Sequence, residues 1–130
     1  MQAGDEQAQS AQWLMASAFQ GVLSTQSVEH PGYPFGSVVP YMLDQRGAPV
    51  FLLSHLSQHT RNLDTDGHCG LTLVEAGTGD IQKLCRLSAI GDVVQTDANP
   101  DLERYFDYFP QSRLYHERLR FCFYRFEPVR

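Results

Sequence analysis

The sequence predicts a mainly β fold, a small antiparallel barrel with short helices set between its strands. Three observations carry this. About six runs of strand length, rich in Val, Leu, Phe and Tyr, are separated by Gly- and Pro-containing turns. The chain lacks the series of long amphipathic helices that a doubly wound parallel sheet requires. Several strands are apolar on both sides, so more than the barrel interior has to be covered.

The elements follow in order. Ala8, Ala11, Leu14, Met15 and Ala18 recur at three- and four-residue steps between about 5 and 19, leaving Gln7, Gln9, Gln12 and Ser17 to solvent. That spacing predicts a helix packed as an outer cover and ended by Gly21. VLSTQSV at 22–28 reads as a strand, and Pro31, Gly32, Pro34 and Gly36 predict an irregular loop after it. SVVPYML at 37–43 and PVFLLS at 49–54 flank DQRGA as a hairpin, with Pro40 at an edge or bulge because it has no N–H to donate. Ser57 has the character of an N-cap for a short helix at 58–66 that Gly67 stops. GLTLVE at 70–75, the turn AGTGD and a strand from about 82 to 95 form a second hairpin. Asp97 caps a helix at 98–109 with Pro100 in its first turn, a short helical piece lies at 111–117, and RLRFCFYRF is the last strand.

Facing arithmetic extends the argument to assembly. Val38, Pro40 and Met42 alternate with Val39, Tyr41 and Leu43, and Leu119, Phe121 and Phe123 alternate with Cys122, Tyr124 and Phe126. A barrel fills its interior from one face, and two or three short helices are too little to cover the other, so a homodimer is expected.

Composition sets the outer limits. With 130 residues, 42% of them apolar and 19% charged, the chain is expected to be one domain over 1–130, with a core large enough to need neither disulfide nor structural metal. Cys69, Cys85 and Cys122 are odd in number and lack a CxxC pair, and no export signal or spanning apolar run is present, so a cytoplasmic location is expected. The net charge of -5 argues against general nucleic-acid binding. Residues 102–130, with 6 basic and 4 acidic groups, are where an anionic partner would be steered.

Hydrolase and NTPase motifs are missing: there is no GxSxG elbow, Walker loop or HExxH helix. The start of the 58–66 helix offers unpaired amides at Gln58, His59 and Thr60, the Ser57 hydroxyl, and charge from His59 and Arg61, a set suited to phosphate. The competing reading is a capped surface helix with solvated bases. His55, His59, His68 and Cys69 have the chemistry of a zinc or haem site but poor spacing, and His30 and His116 stand alone. Asp64 and Asp66 read as solvated carboxylates at a helix end. Tyr105, Phe106, Tyr108 and Phe109 have the shape to stack on a planar cofactor, although at helical spacing they read first as packing.

The segments GVLSTQ, PFGSVVPYMLD, FLLSHLSQHTRNLDTDGHCGLTLVE and CRLSAIGDVV resemble the flavin-binding split-barrel superfamily of the pyridoxamine 5'-phosphate oxidases, most closely its HugZ-like haem-utilisation branch. Ser54, Ser57, His59, Asn62 and Leu63 carry the most specific stretch, and the similarity runs from about 12 to 128. The resemblance implies a six-stranded split β-barrel that dimerises, with FMN sites at the subunit interface. It places Ser37, Val38 and Val39 along the flavin ring and ribityl chain, and Leu53 and Ser54 beside the phosphate. Ser57, Gln58 and His59 fall on the helix start that holds the phosphate, and Arg86 at a polar position reaching toward the cofactor.

The chain departs from the oxidases proper, which carry Arg near Ser37 and an Arg-Lys pair near Gln58 and His59, so oxidation of pyridoxamine phosphate is not implied. HugZ-like relatives continue past EPVR, and their haem-degrading members take an iron ligand from that region, so no iron ligand carries over. The expectation is therefore a homodimeric FMN-binding protein, a flavin-dependent oxidoreductase acting on a small-molecule redox substrate, with no nucleic-acid or membrane partner. The alternatives are a haem-binding or haem-degrading HugZ-like protein and a cofactor-free dimeric binding module. No catalytic side chain is assigned, because a bound isoalloxazine would carry the electrons.

Overall fold

The computed structural model describes residues 3–80, 82, 84–97 and 101–129. Its elements are α1 (Ala3–Ser17), β1 (Gln20–Gln26), β2 (Pro34–Pro40), β3 (Met42–Leu43), β4 (Pro49–Ser54), α2 (Gln58–Thr65), β5 (His68–Val74), β6 (Arg86–Thr96), α3 (Leu102–Tyr108), α4 (Ser112–Arg118) and β7 (Phe121–Pro128). All seven strands join one antiparallel sheet in the order β2-β1-β5-β6-β7-β4-β3, curled so that β2 returns against β4. This is a split barrel, and its seam lies between those two strands.

The count is seven rather than six because SVVPYML is cut in two. Pro40 ends β2, and the next amide, Tyr41, donates to the Phe19 carbonyl at 3.0 Å before β3 begins. Pro34, Phe35 and Gly36, expected in an irregular loop, instead extend β2, where they pair with Gln26, Thr25 and Ser24. Pro34 is tolerated as the first residue of its strand. The β3–β4 turn is tied by Asp44, whose Oδ1 accepts from the Arg46 and Ala48 amides at 2.8 and 2.9 Å, and Gly47 supplies the positive φ. The helix expected at 98–109 starts at Leu102 with Asp101, not Asp97, in the cap position; Pro100 lies outside the described residues. β7 begins at Phe121 because Arg118 still belongs to α4.

Two apolar clusters divide the faces of β4 and β7. Phe51, Leu53, Tyr124 and Phe126 point into the barrel with Leu23, Val39, Leu71 and Leu73. Val50, Leu52 and Phe123 point outward and are covered by Tyr105 and Phe106 of α3. Each such side chain contributes roughly 1.5–3 kcal/mol on burial. The expectation that short helices cannot cover an outer apolar face is therefore corrected over β4 and β7: α3 and α4 leave Phe123 at 2% and Leu52 at 6% exposure. Helix α1 inserts Leu14 into the inner cluster and is pinned where the Tyr41 hydroxyl donates to the Met15 carbonyl at 2.7 Å. Among the described residues no helix is long and apolar enough to cross a membrane.

The close β6–β7 approach depends on Gly91, opposite Pro128. A Cβ there would meet the Glu127 carbonyl oxygen and come within 2.9 Å of Phe126 Cζ. Gly91→Ala is expected to cost about 1–3 kcal/mol, read as a lowered urea midpoint at unchanged m-value. An unshifted midpoint would contradict this packing.

Candidate functional site

A cavity of about 700 Å³ lies along the barrel seam. Val38 and Pro40 of β2 and Leu52 and Ser54 of β4 form its floor, α3 and the turn into α4 form one wall, and the start of α2 forms one end. The wall is aromatic. Tyr105 is fully buried and packs edge-on to Phe123 with centroids 5.1 Å apart, and Phe109 follows it at 5.0 Å. Tyr115 stacks on Phe121 at 5.0 Å, and Tyr108 stands at the rim, 67% exposed. Burial pushes the Tyr105 phenol up to about 12, so it remains a neutral hydroxyl at any physiological pH.

The α2 end is polar. Ser57 has the extended backbone of an N-cap, yet its hydroxyl donates to the Ser54 carbonyl at 2.8 Å and lies 2.8 Å from Thr60 Oγ1, so it caps no amide. Among the described residues no acceptor meets the amides of Gln58, His59 and Thr60; the first helical bond runs from Arg61 to the Ser57 carbonyl. Buried polar contacts hold the helix in place. Asn62, wholly buried, accepts from the Val28 amide at 3.0 Å and from Gln58 Nε2 at 2.9 Å, and donates to Thr25 Oγ1 at 3.0 Å. The Tyr124 hydroxyl donates to Asp64 at 3.2 Å.

The structure brings six of the sequence-derived positions to the cavity: Val38, Val39, Leu53, Ser54, Ser57 and His59. Ser37, Gln58 and Arg86 do not line it. The Ser37 hydroxyl is sealed without a partner. Gln58 turns to Asn62 and Arg61, and Arg61 turns to Glu29 at 3.7 Å, so neither brings its polar group to the cavity. Arg86 starts β6 opposite Val74. Of the wall residues, Tyr115 carried no site role in the sequence, Phe121 only a place in the last-strand alternation, and Tyr108 and Phe109 belong to a stripe read first as packing. That stripe divides: Tyr105 and Phe106 pack, while Tyr105, Tyr108 and Phe109 present surface to the cavity.

The other histidines are placed elsewhere. His55 Nδ1 lies 3.2 Å from the Arg120 carbonyl, His68 lies between Asp66 and Asp92 at 2.8 and 3.4 Å, and His116 packs on Phe106 and Phe123. Cys69 is no thiolate, since burial, reinforced by Asp92 and Asp66, pushes its thiol up to about 12. Among the described residues no group of three or more His, Cys, Asp or Glu is arranged to hold a metal ion.

Residues 2–129 match the family model described as CREG, beta-barrel. The chain is 36% identical over 77 residues to the chloroplastic non-canonical heme oxygenase HOZ of Arabidopsis thaliana, a match covering 57% of this chain and 22% of that protein. Among solved structures, a heme binding protein from Mycobacterium smegmatis is similar at TM-score 0.81 and 25% identity, over 94% of this chain and 51% of that one. A protein of unknown function from Agrobacterium tumefaciens is similar at TM-score 0.84 and 27% identity, over 97% and 55% of the two chains. The chain thus spans about a fifth of the curated relative and about half of each of these two structures.

His59 sets a pH dependence. Its Nε2 is buried without a partner, and burial lowers its pKa from 6.5. The unfolded chain therefore binds a proton more readily than the folded one, and this residue's contribution to stability falls as pH drops below 6.5 toward the folded value. His59→Gln is expected to flatten the decline in thermal midpoint between pH 7 and pH 5; an unchanged slope would contradict the burial of this imidazole.

Proposed function

The chain belongs to the CREG β-barrel family, and on that premise we propose that its seam cavity binds haem or a closely related tetrapyrrole, within a homodimer of the haem-utilisation type. One observation carries the reading: the cavity is large, about 700 Å³, and its lining is mostly apolar and aromatic. A macrocycle is apolar over most of its faces and keeps its carboxylates at one edge, so it suits a trough with apolar walls and an open rim. The relatives named for haem support the same class of ligand.

Tyr105, Phe109, Tyr115, Phe121 and Leu52 would hold the group and exclude water, with Tyr108 closing over it from the rim. Bound haem supplies a redox-active iron. The chain supplies the neutral phenol of Tyr105 and the largely neutral imidazole of His59, the only histidine among the described lining residues. The FMN reading retains one specific support: the open amides of Gln58, His59 and Thr60 at the α2 end suit a phosphate. The extent of the aromatic wall and the relatives named for haem rank it second.

The second copy is proposed for the outer face of β2-β1-β5-β6. There Val22, Val38 and Ile90 are 39%, 66% and 60% exposed among the small residues Ser24, Gly36, Gly70 and Ser88. Val38 also lines the cavity, so a copy docked on this face would border the ligand.

Titration of the ligand-free protein with haem and with FMN, followed by visible absorption, tests the reading. A saturating Soret band at one haem per chain is expected, and Tyr108→Ala should weaken it about five- to tenfold without moving the urea midpoint. A flavin spectrum without a Soret band would replace the haem reading with the FMN one, and neither band would overturn both.

A further inference from the structure

The cavity has no fixed cation among its described lining residues, yet haem carries two carboxylates that need one. Cations collect immediately beyond one end of the wall. Phe121 lines the cavity and stands opposite Ser54 on the β4–β7 ladder. The residues flanking that pair are Arg120 and His55, joined where His55 Nδ1 approaches the Arg120 carbonyl at 3.2 Å. Because a carbonyl only accepts, the His55 hydrogen is on Nδ1. Arg118 ends α4 two residues earlier.

Two features bear on Arg120. Arg61, Arg104, Arg113 and Arg125 each have a carboxylate within 4 Å, whereas Arg120, like Arg46, Arg86 and Arg118, has none among the described residues. Arg120 also has φ +55, the only non-glycine in the left-handed region among the described residues. Glycine would take that conformation without strain, so an arginine there is explained by what its side chain does rather than by the turn.

Resting on the seam-cavity reading, we infer that Arg120, with Arg118 beside it, is the anion-recognition corner of the site and receives the carboxylates of the tetrapyrrole. His55 is a positioning residue that fixes the strained turn by holding its carbonyl. The ligand's orientation follows: its apolar body lies under α3 and its acidic edge faces the Phe121–Ser54 end. The open α2 amides lie toward that same end, four to six residues along from Ser54, and add to its pull on an anion.

Haem and haem dimethyl ester, whose carboxylates are blocked, distinguish charge recognition from general binding. Arg120→Gly should raise the Kd for haem about tenfold and leave that for the ester within about twofold, while Arg120→Lys keeps most of the haem affinity. The glycine variant suits the positive φ, so its urea midpoint should equal or exceed that of the wild type, which separates lost recognition from lost folding. Wild-type protein that binds haem, with the glycine variant binding it equally well or losing the ester in proportion, would overturn the Arg120 assignment alone. Wild-type protein that binds neither haem nor its ester would overturn the cavity reading and this inference with it.

Discussion

A strand that is apolar on both faces must be covered twice, and β4, buried from Pro49 to Leu53, imposes that demand on the whole molecule. The inner cover is the barrel itself, closed around Phe51 and Phe126. The outer cover is α3, held down by Tyr105 and Phe106 over Leu52 and Phe123. Because α3 and α4 are short, they shield the outer face of β4 and β7 but leave Val38 of β2 66% exposed. The seam cavity occupies the ground they leave uncovered. Its aromatic wall consists largely of the cavity side of the helices and strand that satisfy β4, so the residues that complete the fold also line the proposed site.

The polar end of the cavity is fixed from within the barrel. Asn62 meets the loop after β1, the side chain of Gln58 and the hydroxyl of Thr25, while Tyr124 reaches Asp64 from β7. Leaving one of these buried groups unpaired would cost about 1–3 kcal/mol, which holds α2 in one register. Its open amides then stand at a constant place beside Ser54 and the Arg120 turn. Rigidity would matter for the proposed ligand, because a flat body with an acidic edge is oriented by few contacts, and those contacts act only if they do not move.

The parts of this arrangement that depend on local pattern were legible in the chain. PVFLLS forms β4 within the expected bounds, the alternation in FCFYRF sets Phe123 and Tyr124 on opposite faces, and the Ser57 turn opens a helix. The parts that depend on pairing at a distance were not. Pro34 to Gly36 look like loop until β1 offers them a partner, and the break at Pro40 appears only when Tyr41 is drawn to Phe19. The cavity joins β2, β4, α2 and the α3–α4 turn, so its wall could not be assembled from any one segment. Ser57 shows the limit most clearly: its backbone is that of a cap, but its hydroxyl is spent on Ser54 and Thr60. The apolar alternation was correctly read as needing a second cover; two short helices supply it over β4 and β7.

The central claim is that one seam, bounded by β2, β4, α2 and α3, is the ligand site. Amide chemical-shift mapping with diamagnetic gallium protoporphyrin tests it most directly, because ring currents act over short distances. The account predicts large shifts at Leu52–Ser54, Gln58–Thr60, Tyr108–Phe109, Gln111–Ser112 and Phe121, with little change at Val74 and Arg86. Shifts centred on Val74 and Arg86, or none at the seam at saturating ligand, would contradict it.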